Sequence, residues 1–332
     1  MKESKGNKHL SKPVDGIYPS KHSGLKELAE AYSKMSFQAR NVGKASWLMA
    51  RMARDQNTTV VMTLAGAMVP GGLRNTIIDA IRHKLVDVII STGANMSHDM
   101  IEGMGHHHYR SCELDSDVEM KEAFIDRVYD TFIHEPSFNG TARGIMDKIP
   151  LLEGRTSNSI TRFLGSIAES ECILKAAYEN DVPIFIPALN DSELGIVFNR
   201  YNTKRPPEER IVWDGLQDNI EFAKIIEKAG DYGIVICGGG VPKNWAQQVT
   251  PLLEYLHYTP GVLKHSFPGY KYGITITTDT PVYGGLSGCT FSESISWGKY
   301  IDDPEYVTVN CDTTIALPII IGAAIDIIRS GG

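Results

Sequence analysis

The chain has 332 residues and a formal charge of −7, from 33 Lys and Arg against 40 Asp and Glu. Hydrophobic residues make up 42% and charged residues 22%, enough to bury a large core and too much to leave the chain disordered. No basic excess or basic stripe appears, which excludes a protein that binds nucleic acid mainly by neutralising phosphates. The five cysteines, Cys112, Cys172, Cys237, Cys289 and Cys311, are scattered without a CxxC pair, as in a reduced cytoplasmic chain rather than a disulfide framework or a zinc site. The N-terminus shows no apolar leader. The longest apolar run, "IALPIIIGAAI" from Ile315, contains a proline, is too short to span a bilayer and reads as a buried helix.

In chain order, residues 1–25 read as a polar arm without regular structure, and residues 26–332 as one domain with no internal Gly/Ser linker. The domain repeats a unit of apolar strand, small-residue turn and helix. "NTTVVMTLAGAMVPGGLRNTIIDAIRHKL" is followed by "VDVIISTGANMSHDMIEGM", "VPIFIPALNDSELG", "YGIVICGGGVPKNWAQQVTPLLEYL" and "YVTVNCDTTIALPIIIGAAIDII". Continuous apolar strands alternating with helices predict a Rossmann-like, doubly wound α/β fold, a mostly parallel sheet with helices on both faces. Met120, Phe124, Val128 and Phe132 predict one helix over 119–132. Asp214 and Gln217 predict a helix start, and Gly230 its stop.

Ligands in such sheets sit at the carboxyl ends of the strands. Three small-residue turns lie there: "LAGAMVPGG" at 64–72, "STGAN" at 91–95 and "CGGGVPKN" at 237–244. Each admits a phosphate beside a helix N-terminus, and together they suit a large nucleotide such as NAD; packing alone explains any one of them equally well. Asp312 is either a ribose partner or a helix N-cap. "GHHHYR" at 105–110 resembles a metal site less than a polar loop at a pocket mouth, because adjacent histidines point apart, and no metal is expected. In "SESISWGKYIDD", 292–303, Lys299 is either an exposed lysine after a helix or a desolvated amine under the apolar cover of Trp297, with Glu293 placed to receive an ammonium group.

The blocks "ESISWGK", "ICGGGVPK", "PALNDSELG" and "VNCDTT" resemble the deoxyhypusine synthase family, from about residue 25 to the C-terminus. The resemblance implies a Rossmann-like homotetramer with NAD and active sites at subunit interfaces. It implies oxidation of spermidine, an imine of the aminobutyl group on a lysine, and transfer to an acceptor amine. That acceptor is a translation-factor lysine in deoxyhypusine synthases and a free diamine in the related homospermidine synthases. Lys299 matches the imine-forming lysine, Glu293 a polyamine-binding glutamate and Trp297 the tryptophan packed along the amine. NAD contacts would fall on Thr92, Gly93, Ala94, Asp191, Gly239, Gly240, Thr278, Asp279, Ser287, Asp312 and Thr313, and substrate contacts also on Asn244 and Gln248. The arm resembles a segment that can cover a neighbouring active site.

Several positions depart from the family pattern. Gly66 and Ala67 stand where the family has Ser-Asn. Asn244, followed by Trp245, stands in place of a catalytic histidine. Tyr283, Leu286 and Ile196 replace carboxylates that hold the distal amines of spermidine. An unpaired ammonium in an apolar pocket is costly, so the substrate or its pose should differ. One of His106, His107 or His108 is expected to take over proton transfer. Together these features predict an NAD-dependent aminoalkyl transferase acting on free polyamines, with homospermidine from putrescine or spermidine as product. Deoxyhypusine synthesis, an agmatine-type substrate and a non-catalytic NAD- or polyamine-binding protein are the alternatives.

Overall fold

The computed structural model describes residues 12–110, 116–259 and 269–331. Cys112 and the first eleven residues of the expected arm lie outside that range. The chain opens with helices α1 (Leu25–Lys34) and α2 (Phe37–Arg54), then runs β1 (Thr58–Leu64), α3 (Arg74–Arg82), β2 (Val88–Ser91) and α4 (Gly93–Gly103). A small antiparallel sheet comes after them, with β3 (Tyr109–Arg110), helix α5 (Asp117–Glu122), β4 (Ile125–Val128) and β5 (Thr131–His134). Next come α6 (Glu135–Lys148), α7 (Ser157–Ile167), α8 (Ile173–Glu179), β6 (Ile184–Phe185), α9 (Glu193–Asn202) and α10 (Gly215–Glu227). The last part is β7 (Asp231–Cys237), α11 (Gly240–His257), β8 (Tyr270–Thr277), α12 (Phe291–Ser296), β9 (Tyr300–Asn310) and α13 (Thr313–Arg329).

Six strands make one fully parallel sheet in the order β6-β2-β1-β7-β8-β9. The chain winds outward from β1 through β2 to β6, returns to β7 beside β1, and winds the other way. The expected doubly wound α/β fold is thus present, and its switch point lies between β1 and β7. Alternate residues of each strand feed opposite faces. Val60, Met62 and Leu64 join α2, α3 and α13 in one core, while Val61, Ile234 and Ile236 meet Phe222 of α10, Leu253 of α11 and Phe291 of α12 in the other. Burial on both faces is why these strands read as unbroken apolar runs. The run from Ile315 lies in α13 with Leu317, Ile320, Ile321 and Ala324 buried, and no described helix is long and apolar enough to cross a membrane.

Two expectations fail here. The strand-turn-helix rhythm marked five strands and missed β8. Strand β8 leads into a loop with two short 3-10 turns, Pro281–Tyr283 and Leu286–Gly288, so the rhythm is absent. The helix over 119–132 does not form: α5 ends at Glu122 and a hairpin, β4–β5, takes the rest. A spacing of four drifts by about 40° a step around a 3.6-residue helix, which still makes a broad stripe, so the pattern imitates a helix that the local backbone does not form. Phe124 and Tyr129 take left-handed backbone angles, φ 57° and 55°, which end the helix and turn the hairpin. The helix start at Asp214 holds, with its carboxylate accepting from Gln217 N at 2.9 Å.

Strand β9 closes one edge of the sheet, and α2 lies along it. Gln38 Oε1 accepts from Asn310 N at 2.7 Å, and Asn41 Nδ2 donates to Thr308 O at 2.9 Å. On the other half, Asp99 of α4 is fully buried and accepts from Ile173 N and Leu174 N, each at 2.8 Å, satisfying the first turn of α8. Burial pushes its carboxyl up to about 6 against the pull of those amides. The folded value lies above the unfolded one, so this group favours the fold most in acid and its contribution is lost as pH rises toward 6. Asp99→Ala should cost about 1–3 kcal/mol in urea unfolding. Asp99→Asn should flatten the stability slope between about pH 4 and pH 6.

Candidate active site

Strand register gathers the turns at one end of the sheet. Leu64 is level with both Ser91 and Cys237, Cys237 with Ile276, and Thr277 with Asn310. Between them opens a cleft of about 730 Å³, lined by the 65–71 turn, Gly238 to Gly240, Thr277 to Asp279, Ser287 and Cys311 to Thr314, with the β4–β5 hairpin on one side. Of the expected cofactor contacts, Gly239, Gly240, Thr278, Asp279, Ser287, Asp312 and Thr313 line this cleft. Thr92, Gly93, Ala94 and Asp191 do not. They belong to the neighbouring β2 and β6 turns, where Gly93 packs so tightly that a Cβ would lie 2.5 Å from Ser192 Oγ.

The cleft offers open backbone, a helix start and carboxylates. Gly66 and Gly240 have φ of 80° and 60°, and a Cβ on Gly240 would meet no atom within 4 Å, so the space beside the backbone is open. Helix α11 begins here without a side-chain cap, which suits an anion at its N-terminus, whereas at the start of α13 the amides of Thr314, Ile315 and Ala316 are already taken by Asp312. Asp312 caps α13 by accepting from Thr314 N at 2.7 Å, so the N-cap reading holds, and the residue also lines the cleft. Asp130, Asp279 and Asp312 suit ribose hydroxyls, and no Lys, Arg or His lies among the lining residues to receive a further ribose phosphate.

The lysine lies one helical turn from this cleft. Gly239 approaches Ser287 so closely that a Cβ would sit 2.4 Å from its Cα. In the first turn of α11, Lys243 is only 2% exposed, and its Nζ donates to Leu286 O and Cys289 O, both at 3.0 Å. The next residue, Asn244, accepts from Lys299 Nζ through Oδ1 at 3.2 Å. Lys299 itself is 9% exposed.

The "SWGK" segment explains how a lysine after a helix becomes buried. Helix α12 is capped at its start by Thr290, which accepts from Glu293 N at 3.2 Å. At its end Gly298 adopts φ 66°, Gly298 N donates to Ile295 O at 2.9 Å, and Lys299 N donates to Ser294 O at 3.2 Å. This is a Schellman motif, with Trp297 as the C-cap and Gly298 in the left-handed position. It reverses the chain so that Lys299 enters β9 pointing inward, and Tyr270 N fixes it by donating to Lys299 O at 3.0 Å. The expected apolar cover from Trp297 is not supplied within the chain. The C-cap position turns its ring outward, and it is 69% exposed. Glu293 and Gln248 are exposed as well.

Burial pushes the Lys299 amine below the usual lysine range, while Cys289 and Glu293 pull the other way. Burial also lowers Lys243, helped by the positive charge of Lys299. Asn244 gives Lys299 a neutral acceptor in place of a carboxylate, so nothing in hydrogen-bond contact holds the proton on it. Buried Lys243 and its two carbonyl acceptors were the part that sequence reasoning missed, because nothing in "VPKN" separates a buried lysine from a solvated one.

The histidines form a separate cluster. His108 N and Nδ1 both donate to Glu102 Oε1, at 3.0 and 2.8 Å, and His108 Nε2 lies 2.9 Å from Nδ1 of His98. Arg74 donates to Glu102 Oε2 at 2.7 Å. Burial raises the Glu102 carboxyl, but its bonds to His108 and His107 and the charge of Arg74 together hold it down at about 2. Burial, then His108, pushes His98 down to about 4. Among the described residues no three His, Cys, Asp or Glu side chains converge on a metal position.

The deoxyhypusine synthase family profile matches residues 27–324. The chain belongs to the deoxyhypusine synthase family. It is 39% identical over 303 residues to "Probable deoxyhypusine synthase 2" of Archaeoglobus fulgidus, covering 90% of this chain and 97% of that one. It is 34% identical to the "Deoxyhypusine synthase-like protein" of Chlorobaculum tepidum, covering 95% and 90%. The fold also matches a crystal structure assigned to deoxyhypusine synthase from Entamoeba histolytica, with TM-score 0.60 and 18% identity over 93% of this chain and 96% of that one. Membership makes the protein one of a family of enzymes that transfer an aminobutyl group.

Two predictions test the lysine site. Gly298→Ala should cost about 1 kcal/mol or more, because it forces a side chain into the left-handed region, and should slow any reaction of Lys299. The rate of Lys299 modification by a small aldehyde with borohydride should rise with pH through a midpoint below 10.5. Asn244→Asp should raise that midpoint and slow the reaction near about pH 8, since a carboxylate favours the ammonium form.

Proposed function

We propose that the protein is an NAD-dependent aminoalkyl transferase acting on free polyamines, which makes homospermidine from putrescine or spermidine. The observation that carries this reading is Lys299, a buried amine with a neutral partner, one helical turn from the cleft at the carboxyl ends of the strands. A protein that only bound NAD or a polyamine would have no use for a desolvated nucleophile.

When bound, NAD would supply a hydride acceptor for the donor amine and return the hydride to the product. The amides at the start of α11 would hold its pyrophosphate, with Asp279 and Asp312 available to ribose hydroxyls. Exposed Glu293 would receive a substrate ammonium, and Trp297 would lie along its alkyl chain. Neutral Lys299 Nζ attacks the oxidised carbon of the donor. The new C–N bond forms as the original amine leaves with a proton, and an imine remains on Lys299. The acceptor amine then attacks the same carbon, and Lys299 departs with its proton restored. Asn244 accepts a hydrogen bond from the amine without fixing its charge, which suits a group that must lose and regain a proton.

Tyr283, Leu286 and Ile196 are all exposed and offer no counter-charge to a second ammonium. That favours a short free diamine over a long polyamine held at both ends. The names of the relatives favour a second reading, transfer of the aminobutyl group of spermidine to a lysine of a translation factor. Incubation with NAD and putrescine, spermidine or agmatine, followed by borohydride and mass spectrometry, should place an aminobutyl adduct on Lys299 with putrescine or spermidine and none in Lys299→Ala. No adduct with any of the three amines sinks the transferase reading. Label transfer from spermidine to a purified factor, with none to free diamine, selects the second one.

A further inference from the structure

The β4–β5 hairpin is an addition to the parallel sheet, and its tip lies on the cleft. Val128 pairs with Thr131, leaving Tyr129 and Asp130 as a two-residue turn, and all four line the cleft wall. Such turns need a positive φ, a position that Asn and Gly fill without strain. Here Tyr129 fills it at φ 55°, with its side chain 82% exposed. An exposed aromatic ring on a strained backbone gains nothing from burial, so folding alone does not explain the choice of residue.

The tip is braced. Arg127 donates to both oxygens of Asp117, at 2.6 and 3.0 Å, and also to Tyr129 O at 3.1 Å. Thr131 Oγ1 donates to Pro70 O at 3.3 Å, tying the hairpin to the turn after β1 on the cleft's other wall. Tyr129 is also the only aromatic residue among the described residues that line the cleft; the rest are small, polar or aliphatic. A fixed backbone carrying a free aromatic face at a nucleotide cleft is a stacking surface that loses little entropy on binding.

We propose that Tyr129 is a cofactor-positioning residue whose ring stacks on a planar heteroaromatic ring of the bound dinucleotide. The proposal rests on the cleft being the NAD site. Calorimetric titration of Tyr129→Gly, Tyr129→Asn and Tyr129→Phe with NAD, ADP-ribose and nicotinamide mononucleotide tests it without any turnover. The Gly and Asn variants should bind NAD on the order of tenfold more weakly, with Phe close to wild type. Thermal midpoints without nucleotide should not fall, because Gly and Asn relieve the left-handed strain. Equal losses for NAD and ADP-ribose place the stack on the adenine; a loss for NAD and the mononucleotide but not for ADP-ribose places it on the nicotinamide. Gly and Asn variants that bind NAD as tightly as wild type overturn the proposal. So does a Phe variant as weak as Gly, or a lowered midpoint in both ring-less variants. If the wild-type protein itself binds no NAD, the cofactor reading fails first, and that result is distinct from all of these.

Discussion

The site depends on the contact between the first turn of α11 and the loop 286–289. Gly239 lies against the Ser287 backbone with no room for a side chain, and four residues on, Lys243 grips two carbonyls of the same loop. These contacts join the glycine turn after β7 to the loop after β8. Everything downstream takes its position from that junction: the cap at Thr290, helix α12, the Gly298 reversal and the buried amine of Lys299. A lysine serves here as a structural clamp because three donors on a flexible stem reach carbonyls at differing angles, while its buried charge is offset by their dipoles.

Charge is divided between the two halves of the site. The cleft side carries Asp130, Asp279 and Asp312 with no cation among the lining residues, and the lysine side carries two buried amines with Glu293 at the rim. Each half destabilises the form of its groups that the other would favour. A carboxylate within hydrogen-bond reach of Lys299 would lock it as ammonium, and a lysine in the cleft would pair with its aspartates. The neutral side chain of Asn244 stands at the boundary and allows both conditions to hold.

Much of the fold was legible in the sequence, because β1, β2 and β7 are buried on both faces and announce themselves as apolar runs followed by small-residue turns. Strand β8 was hidden because it runs into a loop where the other strands run into a helix. The β4–β5 hairpin was hidden by a spacing of four that imitates a helix while two positive φ angles, at Phe124 and Tyr129, rule it out. Lys299, Glu293, the glycine turn and Asp312 were singled out from the residues themselves, and Thr278, Asp279, Ser287 and Thr313 through the family blocks. The burial of Lys243 and the His98–His108–Glu102 chain came from contacts between segments distant in sequence, and no local pattern records them. Trp297 shows the limit of adjacency: two residues from Lys299, it faces away because a C-cap and the second residue after it point to different sides.

The two amides of α2 that meet β9 have a further consequence. An edge strand normally offers a row of free N–H and C=O groups to any passing strand. Here Gln38 and Asn41 occupy an N–H and a C=O near the carboxyl end of β9, and Asp302, Asp303, Pro304 and Glu305 fill its middle with charge and a missing donor. At the opposite edge β6 is two residues long. The sheet is therefore closed to growth by strand addition at both sides. Assembly through the edges of this six-stranded sheet is thereby disfavoured, and the exposed rims around the cleft and the lysine stay available as contact surfaces.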